Sequence, residues 1–162
     1  MDNIEQALWQ EGSANDGVGD SRHLIEQYKI YVEMADRTSQ RRGATNTFFL
    51  TFNTAIVAAL AGFYQHVPSN ISVAFYLAAS ILAITWAILL RSYRNLNTAK
   101  FQVIGALEKR LPAQTFYAAE WKALGEGKDY KKYVPLSLVE TAVPLVFLAI
   151  YAYLFFQSGP IS

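Results

Sequence analysis

The apolar positions of the chain gather in three long runs that carry almost no charge. The runs cover residues 44–64, 71–90 and 134–156, and Glu140 is the single charged residue within them. About 20 apolar residues in a helix cross the ~30 Å hydrocarbon core of a bilayer. Because buried helices of soluble proteins seldom stay apolar on all sides over such a length, the pattern predicts an all-α membrane protein with three transmembrane helices.

The connections between the runs predict how the spans are arranged. Residues 65–70 separate the first run from the second, and Pro68-Ser69-Asn70 is a turn signal. Residues 44–90 are therefore predicted to form a two-span transmembrane hairpin. The third span, 134–156, follows after a polar segment, and residues 157–162 form a short tail beyond it.

The distribution of basic residues predicts the orientation of the spans. All 14 Lys and Arg lie before the first span or between the second and third, and residues 65–70 and 157–162 have none. The positive-inside rule places the N-terminus in the cytoplasm and the C-terminus outside. Residues 1–20 lack the basic start and apolar core of a signal peptide, which favours the bacterial inner (plasma) membrane.

The polar segments predict a small cytoplasmic helical layer. Residues 1–20 are acidic and turn-rich and are expected to form a mobile tail. Residues 21–43 predict an amphipathic helix that begins at Ser21 and precedes a bend at Gly43. Residues 91–133 predict further helices, interrupted at Pro112 and closed by glycines.

An apolar stripe in this layer predicts a surface for a cytoplasmic protein partner or an activating signal. In the helix over 21–43, apolar residues recur at helical spacing, as one face of a helix requires. The predicted surface consists of Leu24, Tyr28, Tyr31, Phe101 and Trp121.

Glu140 is a candidate functional residue because charged groups within a span need a partner and often mark ion pathways. One interpretation is a structural ion pair with Arg91 or Arg94, which leave the second span near the same boundary. The other is an ion or proton site, or a polar ring in an oligomeric pore. The residue types and their spacing leave both interpretations open.

The first span is unusually polar in its N-terminal half. Asn46 and Asn53 share one face, and Thr47 and Thr51 share a neighbouring face. Polar side chains in a span are expected to point at protein or water rather than at lipid. They predict either hydrogen bonds within one protomer or a face for self-association or pore lining, and conduction would require a homo-oligomer.

The chain lacks the residues that several classes of chemistry require. The chain has no cysteine and two histidines 43 positions apart, which leaves no clustered ligand set for a metal. It has no phosphate-binding glycine loop and no nucleophile or zinc-protease motif. A net charge of +1 does not favour nucleic acid. We therefore expect no enzyme activity, catalytic residue, cofactor, metal site or nucleic-acid partner.

The order of elements resembles a known group of membrane proteins. Residues 28–37, Arg41-Arg42 and residues 46–50 look like the entry of a long helix into a span in the SLATT-type effectors. These are small bacterial membrane proteins of antiviral defence and conflict systems, and the resemblance covers roughly residues 21–112. It implies a membrane-disrupting effector that a separate sensor protein switches on.

Two functional hypotheses follow. The first is a homo-oligomeric membrane effector, pore-forming or membrane-disrupting, that is triggered through its cytoplasmic helices. The second is a non-conducting membrane anchor or scaffold subunit that recruits a cytoplasmic enzyme. The two differ in whether the protein alone changes ion flux across the bilayer.

Overall fold

The computed structural model describes residues 2–9, 17–63, 68–129 and 131–157. Five α-helices and one π-helical turn occur in these residues, and no strand is found among them. Three of the helices are long and apolar enough to cross a membrane. The predicted all-α class with three transmembrane helices is thereby confirmed.

Helix α2 runs without interruption from Gly17 to Phe63 and has 47 residues. At 1.5 Å per residue it is about 70 Å long, which exceeds the thickness of a hydrocarbon core. The sequence predicted a polar helix that starts at Ser21 and is separated from the first span at Gly43, whereas the structure continues as one helix through both positions. One exposed glycine costs a helix only about 1 kcal/mol relative to alanine, which is too little to end so long a hydrogen-bond ladder.

Helix α3, Ser69–Glu108, joins the predicted second span to the first part of the predicted 91–133 segment. It has 40 residues and ends shortly before Pro112. Proline disfavours helical backbone in the residue before it, so a helix end near this position is expected. As with α2, the span and the polar helix are one continuous element.

The segment between α3 and the third span is less regular than predicted. A π-helical turn, Thr115–Glu120, leads directly into the short helix α4, Trp121–Ala123. Three consecutive residues then adopt positive φ angles: Gly125 at 77°, Glu126 at 54° and Gly127 at 70°. A side chain at Gly125 would place its Cβ 2.8 Å from the Cβ of Asp129, so glycine is required there.

The remaining two helices lie at the ends of the chain. Helix α1, Asp2–Leu8, and the first residues of α2 occupy parts of the predicted mobile tail. Helix α5, Leu136–Gln157, is the third span and continues through Pro144. The predicted external tail beyond Gln157 and most of the predicted hairpin turn lie outside the described residues.

The described residues form two compact units. The first, called here the polar unit, comprises residues 2–9, 17–40, 94–129 and 131–135. The second, called here the span unit, comprises residues 41–63, 68–93 and 136–157. Each unit has buried side chains of its own.

The core of the span unit is built from two layers of apolar side chains. In one layer Phe49 stacks on Trp86, with ring centroids 5.9 Å apart, and Phe147 packs against the same indole. In the other, Ala79 and Ala83 of α3 pack beside Tyr151 of α5. The small alanines leave room for the large tyrosine, because a close-packed interior alternates large and small groups.

The core of the polar unit lies along the stripe predicted in residues 21–43. Ala35 is buried, and Leu24, Tyr28 and Tyr31 are half-buried on the same face of α2. Helix α3 contributes its own buried residues at its C-terminal end, among them Ile104. The helical periodicity of this stripe is confirmed.

Candidate functional site

The inner face of α2 in the span unit carries polar and aromatic side chains in a regular row. Arg42, Asn46, Phe49 and Asn53 follow one another at intervals of four, three and four residues. All four are buried or half-buried, as neighbours on one face of a helix should be. This row is called here the α2 seam. It contains two of the polar residues predicted for the first span, Asn46 and Asn53.

Asn53 lies completely inside the protomer, with none of its surface exposed. Its Nδ2 donates to the carbonyl of Phe49 at 2.8 Å, and its Oδ1 accepts a 2.8 Å hydrogen bond from the hydroxyl of Tyr151. Both ends of the amide therefore have partners within the chain. This geometry supports the interpretation of Asn53 as a link between helices and removes it from the surface available to a lumen.

Glu140 forms an ion pair with Arg42, whose Nε lies 3.3 Å from the Glu140 Oε2. The side chains are 17% and 20% exposed, so the pair is largely screened from solvent. The predicted partners, Arg91 and Arg94, are exposed instead. The ion pair of Glu140 is therefore made with Arg42 and not with either of them. Because α2 stays helical through Gly43, Arg42 falls on the buried face one turn before Asn46 and meets α5 there.

Thr47 and Thr51 lie on a different face of α2 and are exposed. Together with three further small residues they form a strip, called here the threonine face, whose members are Thr47, Thr51, Thr54, Ala58 and Gly62. The hydroxyl of Thr54 donates to the carbonyl of Leu50 at 2.8 Å, within its own helix. Larger apolar residues, Phe48 and Phe52, occupy the adjoining exposed face.

The outward faces of the other two spans have a different character. They present bulky apolar side chains, namely Phe75, Leu77, Ile81, Ile84 and Ile88 on α3 and Leu138, Val139, Leu145, Val146, Tyr153 and Phe156 on α5. Such side chains are suited to lipid. These helices also expose small residues, namely Ala74, Ala78 and Thr85 on α3 and Ala142, Ala149 and Ala152 on α5, but bulky residues interrupt them. On the threonine face, small or hydroxylated residues occupy five successive positions at helical spacing.

The predicted partner surface divides between the interior and the exterior of the polar unit. Leu24, Tyr28 and Tyr31 pack within the unit, and Lys100 lies 5.7 Å from the centre of the Tyr31 ring. Phe101 and Trp121 remain 40% and 44% exposed. The last two are the members of the predicted set that a partner can reach.

Glu108 joins several parts of the polar unit although it is almost completely buried. Its Oε1 accepts hydrogen bonds from the Tyr28 hydroxyl at 3.0 Å, the Thr115 hydroxyl at 3.3 Å and the Phe116 amide at 3.0 Å. Burial raises the pKa of the Tyr28 hydroxyl; the hydrogen bond with Thr115 opposes this shift and the Glu108 carboxylate adds to it. The carboxylate thus ties α2, the end of α3 and the π-helical turn together.

Comparison with known proteins identifies the family of this chain. The family model of the octameric membrane protein family (8xMP) matches residues 25–159, which include all three spans. The chain belongs to the octameric membrane protein family. No curated protein and no solved structure matches it.

Membership in the octameric membrane protein family confirms the membrane assignment and the prediction of a homo-oligomer. The matched residues include α2 from Ile25 onwards, and so the whole threonine face and the whole α2 seam. An oligomer requires outward surfaces that meet other protomers. The outward faces described above are therefore the relevant ones for assembly of this 8xMP chain.

Three residues have roles in this 8xMP protomer that were not predicted from the sequence. Arg42 was assigned to the polar helix, although its spacing to Asn46 and Asn53 continues the same helical face. Trp86 and Tyr151 lie in uniformly apolar runs, where residue type alone gives no sign of which aromatic group is buried. A periodicity test that continued across the predicted bend at Gly43 would have identified Arg42.

Proposed function

We propose that this chain is a homo-octameric membrane effector whose α2 helices line or seal a pore through their threonine faces. The observation that carries the proposal is the exposed strip from Thr47 to Gly62 in a span whose neighbours expose large apolar groups. Membership in the octameric membrane protein family supports eight as the proposed number of protomers.

Small and hydroxylated residues on an outward face are better suited to contact with protein or water than to contact with lipid. Small side chains allow helices to approach closely, and hydroxyls can face water in a pore or bond to a neighbouring helix. A single protomer with three spans cannot enclose a pore, whereas a ring of eight α2 helices can. The threonine face is therefore assigned to the inside of the ring and to the contacts between neighbouring α2 helices.

The polar unit is assigned to the cytoplasm and to the reception of a signal. The distribution of basic residues supports this orientation in the bacterial inner membrane. Phe101 and Trp121 are exposed in this unit and supply apolar contact area for a sensor protein. The resemblance to SLATT-type effectors supports antiviral defence as the setting.

Membrane potential in cells that express the protein tests the pore. We expect the wild-type protein to depolarise cells, and the Thr47→Leu, Thr51→Leu double variant to depolarise them much less. Thr85→Leu is the matched control, because Thr85 is an exposed threonine of α3 whose hydroxyl bonds to its own helix. The proposal fails if assembled wild-type protein leaves ion flux unchanged in both cells and proteoliposomes.

A non-conducting anchor for a cytoplasmic enzyme is the second candidate. The exposed aromatic side chains of the polar unit, Phe101, Phe116 and Trp121, favour a protein partner in either case. The anchor is supported if a soluble enzyme co-purifies in fixed stoichiometry and ion flux stays at background. A Phe101→Ser, Trp121→Ser variant should then lose the enzyme while remaining in the membrane.

A further inference from the structure

Three buried polar atoms in the span unit have no hydrogen-bond partner within the described protein. They are the Arg42 Nε, the Asn46 Oδ1 and the Trp86 Nε1, and the Trp86 side chain is fully buried. The Arg42 Nε is close to the Glu140 carboxylate as an ion pair but makes no hydrogen bond to it. Arg42 and Asn46 are one turn apart on α2, and Trp86 stacks on Phe49, which lies on the next turn of the same face. The three residues therefore belong to one end of the α2 seam and to its stacked neighbour on α3.

The backbone of α5 adds a fourth polar group at this end. Proline has no N–H, so Pro144 cannot donate to the carbonyl of Glu140, four residues earlier. Glu140 also carries the carboxylate that pairs with Arg42. Two donors and two acceptors are thus present on α2, α3 and α5 near this end of the α2 seam.

Unsatisfied polar groups are costly in a membrane interior. A buried polar group without a hydrogen bond destabilises the fold, and spans tolerate proline where side chains or ordered water satisfy the freed carbonyl. Water is suited to the site because it donates and accepts, and buried water in proteins typically makes about three hydrogen bonds. A second protomer cannot reach atoms that are this completely buried.

We propose that the bundle binds structural water between Arg42, Asn46, Trp86 and Glu140. The stacked rings of Phe49 and Trp86, with Phe147 against them, close this site on one side. Beyond those rings the Asn53–Tyr151 pair has its own hydrogen bonds and needs no water. The site belongs to the single protomer and does not depend on the proposed pore.

Fluorescence of Trp86 tests the proposal in the assembled protein. The chain has three tryptophans, so a Trp9→Phe, Trp121→Phe background leaves Trp86 as the only emitter. In nanodiscs we expect Trp86 to emit at a longer wavelength than a buried indole without a water neighbour does. Its emission intensity should rise in D₂O, and its emission should shift to shorter wavelength in the Asn46→Leu variant. Thr85→Val, beside Trp86 on the exposed face, should leave the emission unchanged.

Short-wavelength emission that responds neither to D₂O nor to Asn46→Leu would overturn the proposal. A second measurement uses thermal unfolding of variants with the other tryptophans intact. If water links the two side chains, Asn46→Leu and Trp86→Phe together should lower the Tm by less than the sum of their separate effects. Strictly additive changes in Tm would count against a shared water.

Discussion

Helices α2 and α5 both belong to the span unit, yet only α2 has an outward strip of small and hydroxylated residues that no bulky residue interrupts. The face of α2 carries Thr47, Thr51, Thr54, Ala58 and Gly62, whereas that of α5 carries large aliphatic and aromatic groups. Exposure in a single protomer is similar for both, so exposure alone does not distinguish lipid-facing from protein-facing surface. The size and polarity of the exposed side chains make that distinction in a membrane protein.

Substitution by tryptophan on the outward face of each helix should produce the largest difference in assembly between α2 and α5. We expect Ala58→Trp to abolish the proposed octamer, because the indole would prevent the proposed close approach of neighbouring α2 helices. Val146→Trp on α5 should leave assembly intact, since lipid accommodates the ring. Native mass measurement in detergent reports both results, and loss of the octamer in the α5 variant alone would reverse the assignment of the faces.

Engineered cysteines test proximity between protomers directly. The natural chain has no cysteine, so each introduced thiol can pair only with its copy in another protomer. We expect Thr54→Cys to form disulfide-linked dimers on oxidation, because bridging requires Cα atoms within about 7 Å. Leu145→Cys on α5 should stay monomeric on the same gel; dimers from α5 and none from α2 would contradict the proposed contact.

Changes on the inner face should affect stability rather than assembly. Tyr151→Phe removes the donor to Asn53 Oδ1 and leaves that oxygen buried without it. We expect a loss of about 1–3 kcal/mol in the free energy of unfolding of the protomer. Tyr153→Phe is the control because Tyr153 is exposed on the same helix, and equal losses in the two variants would show that the hydroxyl of Tyr151 contributes nothing specific.

The smallest effect is expected from removing one hydroxyl without changing shape. Thr54→Val keeps the branched side chain, and the lost hydrogen bond runs only to the carbonyl of Leu50. We expect the octamer to persist with a Tm within a few degrees of wild type. A large fall in assembly, absent from Thr85→Val, would show that hydroxyls rather than small size hold neighbouring α2 helices together.

The sequence predicted the number of spans because an apolar run of about 20 residues with at most one charge is seldom found outside a membrane helix. It also predicted the apolar stripe that includes Leu24 and Tyr28, since helical periodicity does not depend on tertiary contacts, but it assigned this stripe to a partner surface rather than to the interior. It did not predict the partner of Glu140. That choice depends on how each helix is rotated about its axis, and the expected bend at Gly43 separated Arg42 from the face that it shares with Asn46.

The hydrogen bond from Thr54 to Leu50 has a consequence for biogenesis. A hydroxyl that is satisfied within its own helix demands no partner from outside, so Thr54 presents no unpaired hydroxyl to lipid when a newly made chain enters the bilayer alone. Association can then follow as a separate stage, driven by close packing. Lateral diffusion and copy number, rather than insertion, would then set the pace at which complete rings appear.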